Sequence, residues 1–323
     1  MPSAGCRLGL LTASLMCSML TSCRSTQPPV VAVVPETTAR EVWESEHAGV
    51  ERAAHKLGWG IYWNGPSRED DVERQIQIVK SAIARHVTGL ILSPDHAVAL
   101  ISPVRSALAQ GIPTVILGTP LAIAPGGNLF FVTNDEAATG RLATEPLEHH
   151  LKAGDVVAVL GVNPNIIGEI ERASAIENSI QQTLPGVKVI ERHSTSFAFS
   201  DAEEAAEEMI RTTPNLRAII TLDVNDTRAA SFAVTGGHAR SRIMIVGCDQ
   251  DLDLVRQVRD GSVDALVAEN TFVMGYDAIE IIASEHNGDP IQVNRTVPPI
   301  LVTRENVDQP EVQQVLDMDW RAQ

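Results

Sequence analysis

The segment Pro35-Glu36-Thr37-Thr38-Ala39-Arg40-Glu41-Val42-Trp43 sets an acid, a guanidinium and an indole close together, directly after the apolar run Val30 to Val34. An aromatic plate edged by charged donors and acceptors suits a small molecule with apolar C–H faces and a rim of hydroxyls. Acids also follow later apolar runs: Asp223 lies just past Ala218 to Thr221, Asp249 ends Ile243 to Gly247, and Glu269 follows Ala265 to Ala268. Bond-making chemistry lacks its usual signatures. No G-x-G-x-x-G follows Val30 to Val34 or any later apolar run, so a nicotinamide dehydrogenase is not supported, and no G-x-S-x-G elbow marks a hydrolase. Asp249-Gln250-Asp251-Leu252-Asp253 imitates a calcium loop, but Leu254 stands where that loop needs glycine. The adjacent His149-His150 read as the solvated face of an amphipathic helix rather than as ligands. No catalytic residue, metal or cofactor is expected.

The elements that must position these side chains alternate along the chain. Short apolar strands are predicted at Val30 to Val34, Ile61 to Trp63, Leu90 to Leu92, Val115 to Leu117, Phe130 to Val132, Val156 to Leu160, Val187 to Ile190, Ala218 to Thr221, Ile243 to Val246 and Ala265 to Ala268. Helical spacing falls between them, with core-facing residues Val42, Gly49, Val50, Ala53, Ala54 and Leu57, then Val72, Ile76, Val79 and Ile83, then Val98, Ile101, Val104 and Leu108. Near-continuous apolar strands separated by helices imply parallel sheets covered on both faces. Roughly 300 residues beyond the N-terminal segment exceed what one core usually accommodates, so two lobes are expected. The polar start at Thr133-Asn134-Asp135-Glu136 reads as one crossing between them and Glu269-Asn270-Thr271 as a second, while the extended, proline-bearing Val293 to Val302 reads as a returning third strand. The predicted fold is α/β: two doubly wound parallel-sheet lobes joined by a three-crossing hinge. The expected division is residues 30–134 plus 271–298 for the N-terminal lobe and 135–270 plus 299–323 for the C-terminal lobe.

Composition narrows the partners. A net charge of -16 argues against nucleic acid, which wants clustered Lys and Arg. At the N-terminus, Arg7 and the short apolar run Leu8 to Leu20 form an export signal over residues 1–22, too short for a lasting membrane span. Leu20-Thr21-Ser22-Cys23 resembles the tetrapeptide of bacterial lipoproteins, which implies cleavage before Cys23 and its acylation, an ordinary cleaved secretory signal being the alternative. Arg24 stands where an aspartate would mark inner-membrane retention. Residues 23–29 then serve as a tether, with Gln27-Pro28-Pro29 at its end. Of the four cysteines, Cys6 and Cys17 leave with the signal, so Cys248 alone remains in the folded body and no intrachain disulfide forms.

From about Val30 to Gln292 the chain resembles the ribose-binding-protein family of type 1 periplasmic solute-binding proteins. The likeness rests on Ala53-Ala54-His55-Lys56-Leu57-Gly58-Trp59, Gly111-Ile112-Pro113-Thr114-Val115, Thr133-Asn134-Asp135 with Gly140, Pro214 followed by Leu216 to Thr221, and Ile245-Val246-Gly247-Cys248-Asp249. Lactose-repressor-type regulators share this core but begin with a DNA-reading helix-turn-helix, whereas an export signal occupies that end here. The resemblance implies that Trp43 stacks on a sugar and that Arg40 reaches a hydroxyl, with Glu36 nearby; Trp43 as plain helix core is the alternative. Glu171-Arg172-Ala173-Ser174-Ala175-Ile176 resembles an arginine–glycine motif with alanines for glycines, making Arg172 a donor fork or, otherwise, a surface ion pair. Asp223 aligns with a sugar-binding asparagine, although Asn225-Asp226 compete for that place. Asp249 matches the family's cleft aspartate, the alternative being a helix N-cap, and Glu269 falls where glutamine is usual. Phe197 or Phe199 would supply a second aromatic face.

Two departures shape the expected ligand. The family's aspartate and arginine after Ile-Pro are replaced by Gly118-Thr119, leaving Thr119 alone at that corner. Asp223, Asp249 and Glu269 also gather carboxylates against Arg40 and Arg172, and like charges raise each other's pKa. A sugar, polyol or amino-bearing sugar suits such a cleft, and a phosphorylated or carboxylated one does not. The expectation is a monomeric, lipid-anchored binding protein of the periplasm or cell surface that closes on its solute. It would deliver that solute to an ABC permease or, alternatively, present it to a membrane sensor kinase.

Overall fold

A computed structural model describes residues 28–317 except 41, 238, 240 and 241. The predicted signal, the expected acylation site Cys23 and most of the tether lie outside the described residues. Two six-stranded sheets organise the described residues. The first is built from β1 (Val30–Val34), β2 (Gly60–Trp63), β3 (Gly89–Leu92), β4 (Thr114–Gly118), β5 (Leu129–Asn134) and β11 (Asn294–Val297), in the order β11-β5-β4-β3-β1-β2. All its pairings are parallel. The second contains β6 (Val156–Val162), β7 (Lys188–His193), β8 (Leu216–Thr221), β9 (Met244–Gly247), β10 (Ala265–Ala268) and β12 (Ile300–Thr303), in the order β12-β10-β9-β8-β6-β7. Only β12 runs antiparallel there, beside β10.

Each sheet is sandwiched by helices because its strands are apolar on both faces. Along β1, Ala32 and Val34 face a core shared with α2 (Val72–Ala84) and α3 (Ile101–Ala109), while Val31 and Val33 face α1 (Val42–Leu57) and α9 (Thr271–Asn287). That is the two-residue strand period at work. The second sheet repeats it: α6 (Phe199–Thr212), α7 (Val224–Gly236), α8 (Leu252–Asp260) and α10 (Pro310–Leu316) cover one side, α4 (Glu136–Thr144) and α5 (Ile167–Thr183) the other. Gly49 of α1 and Gly275 of α9 let those helices approach until any Cβ would strike the partner's backbone. No helix among the described residues is long and apolar enough to cross a membrane.

The chain passes between the sheets after β5, after β10 and between β11 and β12. Four local readings need correction. Leu57, expected on the core face, is exposed at the end of α1. Val293 to Val302 is not one strand: Pro298-Pro299 part β11 from β12, and each half pairs with a different sheet. Proline has no N–H to continue a ladder, so it punctuates the crossing. Val98 precedes α3 and is exposed, since the helix starts only at Ile101. His149 and His150 sit in an exposed turn after a short 3-10 segment containing Pro146, not on an amphipathic helix.

Candidate functional site

Both sheets aim the carboxyl ends of their parallel strands at one gap, where loops and helix starts converge. The N-terminal lobe contributes Glu36, Arg40 and Trp43 after β1, Ser93 and Pro94 after β3, and Thr119 after β4. The C-terminal lobe contributes Gly168, Glu169 and Arg172 on α5, Phe197, Asp223 and Asp249, and the crossings add Glu136 and Glu269. All nine residues singled out in the sequence line this cavity. The paired alternatives also differ in where they lie. Phe197 faces the gap, whereas Phe199 is exposed and meets Phe232 edge to face at 6.2 Å. Asp223 lines the gap and caps α7 through Asn225 N–H, whereas Asn225 turns its amide to the Phe197 carbonyl and to Glu69.

Arg40 spans the two lobes. Its Nη1 donates to Asp223 at 2.7 Å and to Glu69 at 2.8 Å, and its Nη2 donates to Asp249 at 2.6 Å. Further bonds cross the gap: Gly168 N–H to Thr119 Oγ1 at 2.8 Å, Ala97 N–H to the Asn165 carbonyl at 2.9 Å, and Asn225 Nδ2 to Glu69 at 3.3 Å. The lobes are therefore closed on each other. About 90 Å³ remains between them, well short of the roughly 300–1,000 Å³ of ordinary ligand pockets. A guest must part the lobes or take over bonds that Arg40 now makes. Two donors already await an acceptor, since Arg40 Nε and Trp43 Nε1 are buried without a hydrogen-bond partner among the described residues.

Arg172 is different. Its Nε and Nη2 grip Glu136 at 2.8 and 2.9 Å, Nη2 also donates to Glu269, and Nη1 donates to the Cys248 carbonyl at 2.8 Å and to that of Leu222 at 3.4 Å. All five N–H groups are thereby used within the protein. Buried Gln250 holds the second crossing from beneath, exchanging two bonds with the Glu269 backbone. Arg172 therefore lines the cavity as a saturated platform for Glu136 and Glu269 rather than as an open fork or a surface pair.

The acids respond to confinement. Burial lifts the Asp249 carboxyl to about 7 despite the Arg40 guanidinium beside it. Burial also raises Glu36 and Glu169, with Asp95 pushing Glu36 further and Asp223 pushing Glu169. Glu136, Glu169, Ser93 and Asp95 were not anticipated from the sequence. Glu169 sits one helical turn before Arg172 on the same face, and Ser93 to Asp95 directly follow β3, so spacing and the strand-end rule both held a signal. Glu136 shows as a partner only once α4 packs on α5. Among the described residues, no group of three His, Cys, Asp or Glu side chains could hold a metal ion.

A family model for the periplasmic binding protein domain matches residues 31–290. The D-allose-binding periplasmic protein of Escherichia coli (strain K12) is 26% identical over 288 residues, spanning 84% of this chain and 91% of that protein. The ribose import binding protein RbsB of Bacillus subtilis (strain 168) is 24% identical over 309 residues, spanning 91% of this chain and 97% of that protein. Among solved structures, a carbohydrate transporter solute binding protein from Agrobacterium radiobacter in complex with D-arabinose superposes with a TM-score of 0.82 at 22% identity, covering 91% of this chain and 100% of that one. An ABC transporter solute binding protein from Agrobacterium vitis with bound D-fucose gives 0.80 at 22% identity, covering 89% and 100%. These relatives are named as binding proteins, not enzymes, and the structures share the two-lobed fold. With the family model covering most of its length, this chain belongs to the periplasmic binding protein domain family.

Proposed function

We propose that this protein captures one small sugar or polyol between its lobes and delivers it to an ABC permease. It works as a monomer in the periplasm or at the cell surface, held to the membrane by lipid on Cys23. One observation carries this reading: a polar cavity shared by both lobes holds two buried, unpartnered donors, Arg40 Nε and Trp43 Nε1, beside an indole and a ring of acceptors. Hydroxyls both donate and accept, so a polyol satisfies such a lining where an apolar guest leaves it unpaired. The names of the relatives, which bind allose and ribose, point to the same solute class. Because each lobe supplies part of the lining, solute binds the closed arrangement better than the open one and shifts the population toward it. Thermal-shift and calorimetric screening of the purified protein against monosaccharides and polyols tests this. A stabilising member with one site per chain is expected, accompanied by a change in Trp43 fluorescence. A panel with no binder would remove the reading.

A further inference from the structure

The charge inventory of the cavity goes further than solute capture. Six carboxyl side chains line it, against two guanidinium groups. Arg172 is occupied by Glu136 and Glu269, and Arg40 by Asp223, Asp249 and Glu69. Glu36 from the N-terminal lobe and Glu169 from the C-terminal lobe line the gap, and neither forms an ion pair within 4 Å among the described residues. Glu169 is only 7% exposed, and among the described residues one backbone bond, from Asn163 N–H at 2.8 Å, reaches it. Around Glu36, Asp95, Glu69 and Asp223 add acids, and Arg40, already engaged by other carboxylates, is the one base that acts against them. The group that now bridges the gap is itself a cation, the Arg40 guanidinium.

Acids in a closed, water-poor space must be neutralised, either by protons or by a positive charge on the guest. We infer that the guest carries an amine as well as hydroxyls: an amino sugar or amino polyol whose ammonium is placed between Glu36 and Glu169. Hydroxyls would meet the indole N–H and the Arg40 Nε–H, and the ammonium, with three donors and no acceptor, would meet carboxylate oxygens. This inference rests on the solute-binding reading above and adds the charge of the ligand.

Matched pairs separate the two ideas. Calorimetry of the purified protein at pH 7 would compare D-glucosamine with D-glucose, D-galactosamine with D-galactose, D-mannosamine with D-mannose, and 1-amino-1-deoxy-D-glucitol with D-glucitol. In the pair that binds, the amine member should bind at least tenfold more tightly. Glu36→Gln and Glu169→Gln should each shrink that preference by severalfold, which a general loss of fold, checked by circular dichroism, would not mimic. A hydroxyl member that binds as tightly as its amine would overturn the inference and leave the solute-binding reading standing. No binding by either member of any pair would remove both.

Discussion

Arg40 and Arg172 perform the same chemistry in two settings. Each guanidinium gathers several carboxylates, and each is nearly buried, with side-chain exposures of 11% and 8%. Arg172 finds every partner within its own lobe and the adjoining crossings, so its bonds persist whether the lobes are apart or together. Arg40 keeps one bond within its own lobe, to Glu69, and ends on Asp223 and Asp249 of the other, so those two bonds exist only in the closed arrangement. One arginine builds a floor and the other fastens a door. Location relative to the hinge, not bond strength, separates a structural ion pair from a functional one.

The sharpest way to break this contrast is to remove each arginine. Arg172→Ala leaves Glu136 and Glu269 buried without a cation, which costs about 3–5 kcal/mol when one partner of a buried pair is lost. The melting temperature should fall by roughly 10 °C, at about 2–4 °C per kcal/mol for a chain of this size; a shift under two degrees would show that Arg172 is not a platform. Asp249→Ala should weaken solute affinity more than tenfold while circular dichroism stays native, because ligand hydroxyls lose their acceptor. Unchanged calorimetric affinity would count against Asp249 as a contact. Arg40→Ala should cost less than about 1 kcal/mol in global stability, since water reaches Asp223 and Asp249 once the lobes part. Its signature is shape, an increased radius of gyration in solution scattering of the ligand-free protein.

The smallest effect is on pH. In the closed arrangement the Asp249 carboxyl sits near 7, above its ordinary value of 3.8. A group whose pKa rises on closure favours closure in its protonated form. Its contribution is full below about 3.8 and is lost as pH passes through about 7. Ligand-free protein should therefore be slightly more compact at pH 5 than at pH 8, and Asp249→Asn should flatten that trend; scattering that is independent of pH in the parent protein would rule this contribution out.

Much of the architecture was legible because its signals are local. Val30 to Val34 and Ala265 to Ala268 are recognised as strands from their own side chains, and the structure bounds both elements at those residues. Where reading failed, the deciding contact lay elsewhere. Val293 to Val302 looks continuous until Asn294–Val297 finds β5 and Ile300–Thr303 finds β10. The strand-end rule brought Glu36, Asp223, Asp249 and Glu269 to notice, but nothing near Arg172 in sequence announces that Glu136, 36 residues earlier, will exhaust two of its donors.

By itself, then, the order of residues determined the alternation of strand and helix, the need for two cores, and which side chains stand at strand ends, because backbone period and local burial depend on near neighbours. Only the tertiary structure decided which acids share one gap, which arginine is spent and which still offers a donor. Those outcomes depend on groups as far apart as Glu36 and Glu269 being enclosed together away from water, and electrostatic pairing in such a space is set by distance rather than by position along the chain.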